Sequence, residues 1–246
     1  MSIPTVTICI RTFSGRYNGK LYDRVGFLRR NMASLFANTK IDHKIVIIDD
    51  ASTLPEQHKA LAEYAKVPNV EVIVKPKNLG RQHSFAMQRR IGLKSKSPYV
   101  YICDDDYEYQ SGWLGRLVYG YDLLRKTYSH AEVGLLSGFH RDGFKPDYTH
   151  KCLGCVCGST KKWLGCRWLM GRDVLLAGGY LDLAPTPDWP AVWTSPWIDD
   201  GSYQMQLTSE RGYSDAFVMM ESPSLVEHIG TFGVHSRPSK HVWGTK

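Results

Sequence analysis

Short apolar runs and helical apolar stripes alternate along the first half of the chain. Thr5–Ile10, Lys44–Asp49, Val70–Val74 and Tyr99–Cys103 are rich in Val, Ile or Tyr and end at turn or polar residues, which predicts four strands. Thr5–Ile10 alternates polar and apolar residues in the manner of a strand. Between the strands, Val25, Leu28, Met32, Leu35 and Phe36 recur at three- and four-residue steps and predict a helix of about four turns. Thr53 with Glu56 has the spacing of a capping box ahead of a helix carrying Leu61, Tyr64 and Ala65, and a third helix is predicted over Gln82 to Lys94. A fourth presents Trp113, Leu117, Val118, Tyr121 and Leu124 on one side.

Strand and helix in alternation predict a parallel sheet with right-handed crossovers, which binds ligands beyond the carboxyl ends of its strands. Those ends read Arg11-Thr12-Phe13, Asp49-Asp50-Ala51-Ser52-Thr53 and Asp104-Asp105-Asp106. From Ser137 to Trp197 the chain turns rich in Gly, Pro, Trp and Cys, as expected of a few strands joined by long loops. With no flexible linker visible, residues 1–246 read as one domain, 1–112 binding a nucleotide and 113–246 an acceptor.

Composition adds limits. At 246 residues, 43% hydrophobic and 22% charged, the chain can bury a full core. Thirty-one Lys and Arg against 24 Asp and Glu leave +7, which favours phosphate-bearing or polyanionic partners. No apolar run approaches the roughly 18 residues of a membrane span, and Met1 to Ile10 lacks a basic leader and a cleavage site, so a cytoplasmic location is expected. Peripheral membrane contact stays open.

Three adjacent carboxylates at a strand end repel one another unless a counter-charge is present. A Mg²⁺ or Mn²⁺ ion bridged to substrate phosphate supplies one. A solvated acidic turn is the plainer alternative.

Four ordered segments bear on that choice: Thr5-Val-Thr-Ile-Cys-Ile-Arg-Thr-Phe13, Ile45-Val-Ile-Ile-Asp-Asp-Ala-Ser-Thr53, Asn78-Leu-Gly80 with Arg89-Arg90-Ile-Gly92, and Tyr99-Val-Tyr-Ile-Cys-Asp-Asp-Asp106 with Gly112-Trp113-Leu114 beyond. Together they resemble glycosyltransferase family 2, closely over about the first 120 residues. The resemblance implies a GT-A fold, a Rossmann-like, mostly parallel α/β sheet flanked by helices with a loop-rich acceptor half. It also implies transfer of a sugar from a nucleoside diphosphate sugar, UDP-linked by family analogy, to an acceptor hydroxyl. Thr12 and Phe13 then line the base pocket and Asp50 meets the base. Asp104 and Asp106 are the outer carboxylates of an Asp-x-Asp motif, Asp104 near the ribose and a candidate metal ligand as well, Asp106 on the metal. Asp105 takes the variable middle place and tunes charge, while Asn78, Gly80 and Arg89 abut the donor, although Gln82-His83-Ser84-Phe85 departs from the family's small-residue spacing.

Inverting members take a general base from an acidic segment like Trp197-Ile-Asp-Asp-Gly201, so Asp199 or Asp200 is the candidate, the other reading being the acidic start of a helix over Gly201–Gly212. His228, in Glu227-His-Ile-Gly230, falls where many GT-A enzymes complete the metal site, and a structural histidine is the alternative; His235 is a further candidate. Arg81, Arg89, Arg90, Lys161, Lys162, Arg237 and Lys240 border the expected cleft, and the basic tail to Lys246 either closes over a diphosphate or lies solvated.

Cys152, Cys155, Cys157 and Cys166 have the compactness of a structural Zn²⁺ site without a standard spacing, and small buried cysteines in tight turns read equally well. Trp189, Trp193 and Trp197, interleaved with prolines, are candidate acceptor-stacking residues in a loop, or core. The acceptor classes open at this point are a glycan or lipid-linked saccharide and a hydroxylated DNA base. A non-catalytic nucleotide-binding module is the rival to an enzyme.

Overall fold

The computed structural model describes residues 5–17, 19–128, 133–139, 145–146, 148–152, 155–160, 167–177, 215–220 and 224–230. In chain order it forms β1 (Val6–Thr12), the hairpin β2 (Gly15–Tyr17) and β3 (Lys20–Tyr22), then α1 (Val25–Asn38), β4 (His43–Asp49) and α2 (Pro55–Tyr64). There follow β5 (Val70–Val74), α3 (Gly80–Ser95), β6 (Tyr99–Asp104), β7 (Tyr107–Tyr109) and α4 (Trp113–Thr127). The second half contributes β8 (Val133–Ser137), β9 (Tyr148–Cys152), β10 (Cys155–Thr160), β11 (Arg167–Gly171), the short α5 (Arg172–Ala177), β12 (Asp215–Met219) and β13 (Val226–His228).

Nine of these strands make one sheet in the order β5-β4-β1-β6-β11-β8-β12-β10-β9. The first four run parallel, and β11 then pairs antiparallel with both β6 and β8. Strand order reverses at β1, with β4 and β5 on one side and β6 on the other, which is the switch point where open α/β sheets hold their ligands. Register aligns the ends there: Thr12 lies opposite Asp49, and Arg11 opposite Asp104.

All seven residues of β1 are buried, the polar Thr7, Arg11 and Thr12 included. Alternation in this strand therefore divides two cores rather than core from solvent. Val6, Ile8 and Ile10 join Leu28, Met32 and Leu35 of α1 and Trp113, Leu117 and Leu124 of α4; Cys9, on the other face, joins Phe85 of α3 and Val174 of α5. Each fully buried Leu or Met stabilises by about 1.5–3 kcal/mol. Thr7 sits in this interior by sharing a hydrogen bond with the Ser97 hydroxyl at 2.7 Å.

Several boundaries differ from the sequence expectation for physical reasons. Thr53 and Glu56 form no capping box: α2 starts one residue later, with Leu54 at the cap and Pro55 in the first turn, and no side chain caps it. The hairpin β2–β3 carries no apolar alternation and was not expected. Phe36 is exposed, one position beyond the stripe that ends at Leu35. No described helix is long and apolar enough to cross a membrane.

Candidate functional site

The carboxyl ends of β1, β4 and β6 converge on Asp104, Asp105 and Asp106, and two buried arginines answer them. Arg11, within β1, pairs with Asp104 and donates from Nη1 to the Arg81 carbonyl at 3.3 Å. Arg24, at the head of α1, donates from Nε to Asp105 Oδ1 at 2.8 Å and from Nη2 to both Asp105 and Asp106, the latter at 2.8 Å. Three carboxylates thus face two guanidinium groups. The repulsion expected from the sequence is mostly met by the protein itself, with one negative charge over.

Asp105 is the correction of greatest consequence. The middle residue, expected only to tune charge, has a side chain 1% exposed and is the anchor of the site. Thr12 Oγ1 donates to its Oδ2 at 2.5 Å, Gln57 Nε2 donates to Thr12 Oγ1 at 2.9 Å, and Ser14 Oγ donates to Gln57 Oε1 at 3.1 Å while accepting the Arg24 N–H at 3.0 Å. Ser52 Oγ in turn accepts the Ser14 N–H at 2.7 Å and donates to Asp49 at 2.5 Å. The loop after β1, the loop after β4 and the start of α1 are therefore tied to one buried carboxylate. Burial pushes Asp105 upward in pKa, and Arg24 and Thr12 pull it back in part.

Asp106 is a different kind of acid. The two-stranded pairing of β13 with β7 sets His228 opposite Tyr107 and brings a residue 122 positions away onto the triplet. His228 Nε2 lies 3.2 Å from Asp106 Oδ2, and the Ile229 N–H donates to the Asp106 carbonyl at 2.9 Å. Burial would raise Asp106, but the hydrogen bond from His228 and the Arg24 charge outweigh it and hold the carboxyl well below the usual carboxylate range. Its Oδ1 is buried with no hydrogen-bond partner. An ionised, orphaned oxygen beside an imidazole nitrogen is a donor pair suited to Mn²⁺ or Mg²⁺, with phosphate oxygens and water completing the shell.

Asp104, expected as a third ligand, instead turns to Arg11. Among the described residues no group of three or more His, Cys, Asp or Glu gathers closely enough to enclose a metal.

Gly230 is where close approach demands glycine, because a Cβ there would meet Asp106 Oδ2 at 2.2 Å and Cγ at 2.8 Å. Gly230→Ala must swing the carboxylate off His228 and Arg24. Mn²⁺ affinity is expected to fall about ten- to a hundredfold with the fold intact. Isothermal titration against Mn²⁺ checks this, and an unchanged constant would count against the close approach.

On the far side of β1, Asp50 is buried and pairs with Lys75 Nζ at 2.5 Å while accepting the Leu79 N–H at 2.9 Å. Lys75, itself buried, reaches His83 Nδ1 at 3.2 Å and Ser84 Oγ at 3.0 Å. Burial lowers Lys75 despite the Asp50 charge, and burial followed by the Lys75 charge lowers His83 to about 4. Asn78 Oδ1 accepts the Gly80 N–H at 3.0 Å in a turn that Gly80 enters at φ +83°.

Other expected residues are placed less favourably for donor contact. The Thr12 hydroxyl is engaged with Asp105 and Gln57, and Phe13 is half-buried beside Gly15. Arg89, expected on the donor, is buried one turn after Phe85 on the sheet-facing side of α3, its guanidinium 5.9 Å from the Phe85 ring. The Cys157 side chain is buried in the core, its Sγ 3.5 Å from Met219 Sδ. Cys152 lies opposite Cys155 across β9 and β10. Cys166, Trp189, Trp193, Trp197, Asp199, Asp200, His235, Arg237, Lys240 and the segment Gly201–Gly212 lie outside the described residues.

Arg24, Lys75, Gln57 and Ser14 were not singled out from the sequence. Their only mark there is polarity at positions flanking apolar runs, which surface residues share.

Residues 20–133 match the family model described as Glycosyl transferase family 2. No curated protein matches the chain in sequence. Among solved structures, GalNAc-T7 with UDP, GalNAc and Mn²⁺ superposes at a TM-score of 0.62 and 16% identity, covering 93% of this chain and 44% of that one. The mannosyltransferase PcManGT from Pyrobaculum calidifontis, in complex with GDP-Man and Mn²⁺, superposes at 0.55 and 14% identity, covering 88% of this chain and 57% of that one. The chain spans about half the length of these structures. Likeness at this level identifies the fold as GT-A.

Proposed function

We propose that this chain, whose residues 20–133 match the model of glycosyl transferase family 2, is a metal-dependent, inverting glycosyltransferase that moves a sugar from a nucleoside diphosphate to an acceptor hydroxyl. The observation that carries the reading is Asp106. It is a buried carboxylate held ionised, with one oxygen unpartnered, at the switch point of a parallel sheet and beside a histidine delivered from the far end of the chain. A structural acid in such a place would have both oxygens satisfied. The Mn²⁺ and nucleotides or nucleotide sugars bound by the two solved structures support the donor class.

Asp106 and His228 would hold the divalent ion, which when bound neutralises the charge of the departing diphosphate. The remaining work falls to the chain. Asp105, locked by Arg24 and Thr12, fixes the loop from which Asp106 projects. Asp50, held at the end of β4 by Lys75 and the Leu79 N–H, is the carboxylate we assign to the base of the nucleotide. Arg11 pairs with Asp104 at the strand end, and Asp104 is the carboxylate we assign to a ribose hydroxyl.

The reaction then needs one base to take the acceptor proton, and Asp199 or Asp200 is our candidate. The acceptor is proposed to be a glycan or lipid-linked saccharide, by the same resemblance.

A thermal-shift screen of nucleoside diphosphates and their sugars with Mn²⁺ tests the reading. A ligand at about 100 times its dissociation constant adds about 2.7 kcal/mol to stability. A uridine or guanosine diphosphate should raise the melting temperature and the free nucleoside should not; no shift with any nucleotide would sink the reading.

A further inference from the structure

Arg11 and Arg24 each hold a carboxylate, but a third arginine stands at the same strand ends with no carboxylate partner among the described residues. Arg167 opens β11, and the antiparallel register sets it opposite Cys103, the residue before Asp104. Its guanidinium lies 4.0 Å from the Phe139 ring centroid and 5.4 Å from that of Tyr107, and Nη1 donates to the Tyr107 hydroxyl at 2.8 Å. The same two rings border His228, at 6.4 and 5.2 Å between centroids. Arg167 is thus one layer of side chains from the Asp106–His228 pair. Among the described residues no carboxylate pairs with it, and its Nε is buried with no hydrogen-bond partner.

A planar cation held over an aromatic ring keeps its charge and its edge donors. Half-buried and with no carboxylate partner among the described residues, it is receptive to an anion that offers two oxygens. The donor diphosphate is the anion that the neighbouring site calls for.

We propose that Arg167 is a catalytic residue that binds the β-phosphate of the donor and takes up part of the charge this phosphate gains on leaving. The inference rests on the glycosyltransferase reading. In the step it assists, the acceptor oxygen bonds to the anomeric carbon as the bond from that carbon to the β-phosphate oxygen breaks. The electron pair stays on the phosphate, and the acceptor proton passes to the general base. Arg167 binds the ground-state diphosphate and binds it better as charge develops, so it acts on kcat more than on KM.

The test compares wild type, Arg167→Gln and Arg167→Lys for binding of nucleoside diphosphate and nucleoside monophosphate with Mn²⁺ by calorimetry, and for kcat and KM of donor hydrolysis. Arg167→Gln should weaken the diphosphate about ten- to a hundredfold while the monophosphate changes less than about twofold. Arg167→Lys keeps the charge but not the flat fork, and should recover part of the diphosphate affinity; if the Gln variant does not fold, Lys against wild type carries the same comparison. Equal losses for both nucleotides, or none, would overturn the proposal while leaving the donor reading intact. A wild type that binds no nucleoside diphosphate at all overturns both.

Discussion

Asp106→Asn is expected to fold and to lose metal-dependent turnover by about two to three orders of magnitude. The substitution keeps shape and volume and removes the charge that the buried site holds ionised. Arg24 retains Asp105, so the loop stays anchored and the melting temperature should move by only a few degrees. The one negative charge left over by the two arginines disappears, and with it the attraction for a divalent ion. Donor hydrolysis measured over a Mn²⁺ series in both proteins decides the matter. Full metal-dependent turnover in the variant would show that the ion binds elsewhere.

Arg24→Ala should have the largest effect on stability, about 3–5 kcal/mol at neutral pH, because it leaves two buried carboxylates without their shared counter-charge. The loss should depend on pH. In the wild type Asp106 is depressed, so its stabilising contribution is present above the unfolded value of about 3.9 and fades as the pH falls through the lower folded value. Without Arg24 the folded values of Asp105 and Asp106 both rise, Asp106 keeping only His228 against its burial, which makes ionisation costlier above about 4 and harmless below. The deficit between the two proteins should therefore be greatest near pH 7 and shrink as the pH approaches about 4. Urea unfolding at a series of pH values checks this; a deficit under about 1 kcal/mol, or one flat with pH, would contradict the assigned role of Arg24.

The two predictions separate roles that adjacency obscures. Asp105 and Asp106 are neighbours in the chain and share one arginine, yet one carboxylate is fully engaged by donors while the other keeps an oxygen unpartnered. Alternation along the backbone sends the first down into the Thr12–Gln57–Ser14 network and leaves the second at the mouth, against His228.

The four parallel strands, the helices between them and the acidic strand ends were legible in the sequence because each follows from local order. Apolar periodicity is a property of neighbouring residues, and Val70–Val74 is the strand in both readings. The polar side chains inside β1 were harder. Thr7 and Thr12 look like solvent-facing positions until helices are known to cover both faces of the sheet. The burial of Arg89 was hidden for the related reason that a charged residue beside a motif is read as exposed, whereas the face of α3 it occupies packs inward behind Phe85.

Sequence by itself determined the parallel α/β core and the carboxylates that crowd at its strand ends, since strand ends are set by where apolar runs stop. Only the tertiary structure decided what each carboxylate does. The partners that distinguish them, Arg24 from the head of α1, Thr12 from β1 and His228 from β13, are separated from the triplet by 81, 93 and 122 residues in the contacts they make. Contacts at such separations depend on how the sheet orders its strands and on the small pairing of β7 with β13, and no local pattern of hydrophobic and polar residues encodes either.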